Sequence, residues 1–175
     1  YRPHDAHWLE TSSTNNKIMV FNNGAGEDFS SVEVFSTPIN ALGSYDIYEN
    51  QPYAPSESEW IYTGRPKESF FAPFVSGAQR LANGNTLICE GTHGRIFEVD
   101  SNFNIVWEYI NPVIGNAIVT QGDTIPVNDS GTPANLLFRA YRYDMDYGSL
   151  KDKNLIPYGP IEDYPDNWVA IDDVY

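Results

Sequence analysis

Apolar and polar positions alternate at short period between Ser76 and Tyr109, and turn residues interrupt them at regular intervals. The pattern predicts four short strands, Ala78–Leu81, Thr86–Glu90, Arg95–Val99 and Ile105–Tyr109. In the third, Ile96, Phe97 and Val99 are apolar and Glu98 is polar, which suits a half-buried strand rather than a helix. Asn83-Gly84-Asn85 supplies the tight reversal, because both Asn and Gly tolerate positive φ. Gly91-Thr92-His93-Gly94 and Asp100–Asn104 supply the next two turns. Four strands of this length in direct succession predict one antiparallel sheet, of the kind that forms a blade of a β-propeller.

The same order of elements recurs earlier. Ala6-His7-Trp8-Leu9 aligns with Ala78-Gln79-Arg80-Leu81, and Asn16–Phe21 with Gly84–Cys89. Ser31–Val34 aligns with Ile96–Val99, and Glu59–Tyr62 with Val106–Tyr109. The repeat is degenerate, but its parts keep their sequence, as expected of stacked units. The expected division is a blade over 4–63, interrupted by an insertion at 37–58, and a second blade over 70–110. The insertion (INALGSYDIYENQPYAPSES and its flanks) is long and aromatic, which predicts a packed loop, over a pocket mouth for instance. Gly64–Val75 links the two blades, and its Phe70, Phe71 and Phe74 are expected in the core between them. Beyond Tyr109 the pattern weakens. Asn135–Tyr143 (NLLFRAYRY) is a further strand candidate, or a short helical turn, and 144–175 reads as an irregular tail. The fold class is therefore all-β, one partial propeller domain over 1–175. Two blades cannot close a ring. An upstream segment or another chain is expected to supply the missing blades, and an oligomer is one way to do so.

Composition narrows the class without changing it. Aromatic residues are 14% of the 175 and charged residues 19%, alongside 13 Gly and 12 Pro. The net charge of −14 disfavours nucleic acid and anionic membrane as partners. No stretch reaches the roughly 18 apolar residues of a membrane helix, so no membrane insertion is expected. An acidic, turn-rich chain with one cysteine fits a periplasmic or secreted protein. Cys89 is expected to be a buried, inert thiol within its strand.

Three runs carry a family resemblance: HDAHWLETSSTNNKIMVFNNGAG from His4, ESFFAPFVSGAQRLANGNTLICEGTHGRIFEVDSNFNIVWEYINP from Glu68, and FRAYRYDMDYGSL from Phe138. They resemble the C-terminal part of arylsulfotransferase-like propellers, the bacterial PAPS-independent aryl-sulfate sulfotransferases and their secreted relatives. The resemblance implies a six-bladed propeller with a pocket near its axis. It also implies a nucleophilic histidine in a His-x-Ala motif, carried here by His4 with Asp5-Ala6, ahead of the strand Val20-Phe21-Asn22-Asn23-Gly24. The position before the histidine, often Gln in the motif, is Pro3 here. The implied reaction moves a sulfuryl group from an aryl sulfate to a phenol through a sulfo-histidine intermediate, with small aryl sulfates and phenols as partners and no cofactor. Neutral imidazole suits that role, since a covalent intermediate divides one difficult transfer into two easier ones.

Each candidate also has a plain structural reading. Strict strand alternation puts His7 on the face of Asp5 and leaves His4 on the other, so His7 is expected to be structural. His93, in a Gly-rich turn, is a candidate substrate contact. So are Asn22 and Asn23, which would otherwise serve only as turn formers. Arg139 and Arg142 suit a sulfate, but among so many carboxylates ion pairing is expected. Asp144, Asp146 and Asp152 show a D-x-D-x-G beginning of a calcium loop without its later ligands. The histidines and the cysteine show no zinc spacing. Two non-catalytic alternatives stand beside the enzyme: an extracellular propeller that binds or scaffolds, and a subunit of a surface assembly.

Overall fold

The computed structural model describes residues 2–9, 16–24, 26–120, 122–157 and 159–161. The final stretch of the expected tail, 162–175, lies outside the described residues. Two four-stranded antiparallel sheets dominate the fold, each a meander in chain order. The first holds β1 (His4–Trp8), β2 (Lys17–Asn22), β3 (Ser31–Ser36) and β4 (Trp60–Thr63). The second holds β5 (Gly77–Arg80), β6 (Thr86–Glu90), β7 (Arg95–Val99) and β8 (Ile105–Ile110). A two-stranded ribbon follows, β9 (Val113–Ile114) with β10 (Ala117–Ile118). Two short 3-10 turns, Lys67–Ser69 and Gly91–His93, lie among the strands. The all-β expectation holds.

Register makes the repeat concrete. Leu9 N–H donates to the Lys17 carbonyl, and Leu81 N–H to the Asn85 carbonyl, at the same place in each sheet. Phe21 pairs with Val32, and Val32 with Tyr62, as Cys89 pairs with Ile96 and Ile96 with Tyr109. Trp60 and Trp107 correspond likewise. The third strands, however, align one residue away from the sequence match: Val32, not Ser31, is the counterpart of Ile96. The hydrogen-bond ladder fixes this, because a one-residue slip would turn every side chain to the other face.

The sheets stack with opposite faces in contact. The first presents Met19, Phe21, Val32, Val34 and Tyr62, whose counterparts in the second are Leu87, Cys89, Ile96, Glu98 and Tyr109. The second presents its other face, with Ala78, Ile88, Phe97 and Val99, to the shared core. Phe70 from the linker sits between them, edge-on to Phe21 at 5.5 Å and perpendicular to Phe97 at 5.8 Å. Burying several such rings is the main stabilising contribution here. Phe70 is thus in the core as expected and Phe71 is half-buried, but Phe74 is exposed, which corrects that part of the expectation.

Two further expectations change. Residues 135–143 form no strand: the segment runs beside β5 but joins it through Ser76 N–H to the Phe138 carbonyl and through the Gln79 side chain. Even so, Arg142 lies over Trp107 at 4.9 Å as Arg80 lies over Trp60 at 4.5 Å. The segment therefore stands to the second sheet as β5 stands to the first. The insertion is not a packed loop. Residues 41–54 are exposed throughout, and Leu42 is 90% accessible. Asn40 shapes its first turn by accepting the Leu42 and Ser44 N–H groups.

Candidate functional site

The site begins with a break in β1. His4 pairs with Phe21 and His7 with Met19, so two residues between the histidines face one between their partners. This is a β-bulge, and Asp5 takes it with φ of 54°, in the left-handed region a non-glycine residue seldom adopts. Phe21 and Met19 belong to one face of β2. The bulge therefore puts His4 and His7 on the same side of the sheet, contrary to strict alternation.

Asp5 is held from three directions. Its Oδ2 accepts the Ala78 N–H of β5 at 3.1 Å, and its Oδ1 accepts from Arg139 at 2.8 Å and from the Tyr141 hydroxyl at 2.7 Å. Its carboxylate is nearly buried. Sequence reasoning gave Asp5 no such role, because its partners lie 73 to 136 residues away. The sulfate contact considered for Arg139 is replaced by this pair. Arg142 is likewise committed, to Glu98.

His4 is fixed at one nitrogen. Its Nδ1 lies 2.8 Å from Asn23 Oδ1. Asn23 is completely buried, and its amide nitrogen donates to the Ala72 carbonyl at 2.7 Å and the Val75 carbonyl at 3.0 Å. Carbonyls accept only, so the amide orientation is determined and Oδ1 must face His4. Nδ1 of His4 then carries the proton, which leaves the lone pair on Nε2. The substrate contact expected of Asn23 is not available to so buried a side chain; Asn23 orients His4 instead. Asn22 is a ladder and turn residue, donating to Glu33 and accepting the Gly24 N–H. His7 repeats the tautomer: its Nδ1 is 2.9 Å from the Asp5 carbonyl, so that nitrogen is the donor.

His93 ends the 3-10 turn after β6, with Nδ1 3.2 Å from Glu90 Oε1. Its pKa is raised, chiefly by the hydrogen bond to that carboxylate. Glu90 is buried and also receives the Phe71 N–H and Arg95. His93 is half-exposed and joins neither the Asp5 cluster nor the Asn23 bond. Asp144, Asp146 and Asp152 are exposed, and among the described residues no group of three or more His, Cys, Asp or Glu side chains is gathered to hold a metal ion.

The sequence pattern of the arylsulfotransferase (ASST) family matches residues 1–112, a span that contains both sheets and the whole of the His4–Asn23 arrangement. The chain belongs to that family. No curated protein and no solved structure matches it. Within the arylsulfotransferase match, β1 with its bulge and β2 with Asn22-Asn23-Gly24 lie inside the span, whereas Arg139 and Tyr141 lie outside it.

Proposed function

We propose that this arylsulfotransferase-family chain transfers a sulfuryl group from an aryl sulfate to a phenol, with His4 as the nucleophile. The supporting observation is the fixed tautomer of His4. In the first step the Nε2 lone pair attacks sulfur, the S–N bond forms, and the S–O bond to the ring breaks as phenolate leaves. The sulfo-imidazolium so formed is a zwitterion whose ring carries the positive charge, and Asn23 Oδ1 stabilises that ring by accepting from Nδ1–H. In the second step the oxygen of an acceptor phenolate attacks the same sulfur, and the S–N bond breaks to restore His4. Negative charge spreads over the sulfuryl oxygens in a loose transition state, so positioning and hydrogen-bond donors carry the remaining stabilisation.

The proposal includes a propeller as scaffold. The opposite-face stacking of the two sheets supports it, because units related by rotation about an axis meet in that way, whereas a two-fold sandwich joins equal faces. Arg142 over Trp107, repeating Arg80 over Trp60, extends the same relation to a third position.

The test is transfer from p-nitrophenyl sulfate to a phenol by the full-length protein and by His4→Ala. Nitrophenol release by the wild type and its loss in the folded variant are expected. Absence of release from a folded full-length protein across several aryl sulfates would overturn the proposal and favour a binding module.

A further inference from the structure

A groove of about 530 Å³ lies where the end of β4, the linker that follows it and the turn between β7 and β8 meet. That volume is within the usual range for small-molecule sites. Tyr62, Arg65, Arg95, Phe103 and Ile105 are among the residues that line it. No described residue before Tyr62 does so, and His4, Asn23 and the Asp5 clasp therefore stand apart from it.

Tyr62 is the decisive residue. It is 6% exposed, and its ring packs among Phe70, Phe97 and Phe103. Among the described residues its hydroxyl has no hydrogen-bond partner, although a buried tyrosine hydroxyl usually finds one. Burial raises its pKa, and the charges of Arg95 and Arg65 oppose that rise. The hydroxyl is thus a neutral donor within electrostatic reach of both guanidiniums.

The two arginines differ in how far they are committed. Arg95 donates to Glu108 and to Glu90, so two carboxylates already offset its charge. Arg65 lies over the Phe103 ring at 5.6 Å, and among the described residues no carboxylate pairs with it. One uncompensated cation and one unpartnered hydroxyl therefore face the same groove. Beside them Phe103 is half-buried and Ile105 is exposed, which leaves apolar wall open to solvent.

From these observations we infer that the groove binds a small monocarboxylate with a short aliphatic chain. One carboxylate oxygen accepts from the Tyr62 hydroxyl, the other pairs with the Arg65 guanidinium, and the chain packs on Phe103 and Ile105. A single charge fits because Glu90 and Glu108, both bonded to Arg95, would repel a second. This inference does not rest on the chemistry proposed for His4.

The probe is butyrate, titrated into the full-length protein while NMR follows the Arg65 side-chain Nε–H and the backbone amides of Thr63 and Asn104, which also line the groove. Saturable shifts of all three are expected, at the millimolar affinity typical of so small a ligand. Affinity falls at least ~10-fold in Arg65→Gln, the size expected for losing a charge-assisted hydrogen bond. In Tyr62→Phe, which removes only the hydroxyl, it falls roughly 3- to 10-fold. In His4→Ala it stays within about two-fold of wild type. Each variant is first checked for the wild-type amide spectrum. Arg65→Lys, which keeps the charge but loses the planar fork, replaces Arg65→Gln if the latter does not fold, and a smaller fall is then expected. Acetate bound as tightly as butyrate would mean a bare anion site and would overturn the inference. Inorganic phosphate bound more tightly than butyrate would overturn it in favour of a tetrahedral anion. So would the absence of saturable shifts at tens of millimolar probe, or wild-type affinity in Tyr62→Phe. Sulfuryl transfer can fail while this binding persists, and the reverse, so the two readings are tested separately.

Discussion

The Asp5 carboxylate occupies the space that a side chain at Gly77 would need: a Cβ built there would overlap Asp5 Oδ2. The two residues belong to different sheets, and the same carboxylate oxygen accepts the N–H of Ala78. Glycine at 77 thus allows the first sheet to approach the second closely enough for Asp5 to bridge them.

Gly77→Ala is therefore expected to destabilise the fold by about 1–3 kcal/mol, the usual cost of forcing extra volume into a closed contact. Denaturant unfolding measures it. Combining it with Asp5→Gly should recover part of the loss specific to Gly77, because glycine at position 5 removes the clashing carboxylate and accepts the positive φ. Strictly additive losses in the double variant would refute the steric account.

Asn23→Ala removes one side chain and with it the bonds to the Ala72 and Val75 carbonyls and to the His4 Nδ1–H, although the Ala72 carbonyl keeps the Ser30 hydroxyl at 3.4 Å. The expected destabilisation is about 1–3 kcal/mol, the cost of leaving buried polar groups unpaired. In the same variant the His4 ring nitrogens should lose their single-tautomer NMR signature, and sulfuryl transfer should slow. A His4 spectrum unchanged by the substitution would show that Asn23 does not set the tautomer.

The His93–Glu90 pair gives a pH dependence of defined sign. The folded-state pKa of His93 is raised above the usual 6.5, first by its hydrogen bond to Glu90. Its contribution to stability is then fully present below the unfolded pKa and is lost as pH rises through the folded one. Because His93 is half-exposed, solvent screening keeps the effect within about 1 kcal/mol. Unfolding free energies of wild type and His93→Gln should diverge at pH below about 6 and converge above the raised pKa. Parallel curves across that range would contradict the pairing.

Cys89 is 1% exposed on β6, and burial pushes its thiol up to about 12. Thiolate, the reactive form, is scarce at neutral pH under those conditions. Labelling by a thiol-disulfide reagent at pH 8 should follow opening of the sheet and accelerate with denaturant in step with unfolding. Rapid stoichiometric labelling of the folded protein would show that the face of the second sheet carrying Leu87 and Cys89 is open.

The sheet strands were legible in the sequence because their signals are local. Asn83-Gly84 and the alternation from Thr86 to Val99 specify a meander within a few residues, and the repeat shows it twice. The exposed insertion was misjudged because aromatic content alone does not show whether a loop has a surface to pack on. The strand expected at Asn135–Tyr143 has suitable residues but lacks the ladder partner a strand requires. At the site, His4 with its implied nucleophilic role and Asn23 were both picked out by the resemblance, but the hydrogen bond that joins them was not legible.

The sequence by itself determined the all-β class, the two four-stranded units and the buried Cys89, because period-two patterning and turn chemistry act between near neighbours; the family was read from the resemblance of three runs, not from periodicity. Only the tertiary structure decided that His4 and His7 share a face, that Asn23 orients His4, and that Asp5 joins both sheets to Arg139 and Tyr141. The bulge at Asp5 changes the register by one residue, and no local pattern marks it, since its hydrogen bonds reach partners as far as 136 positions away. Such contacts exist only after the sheets have stacked.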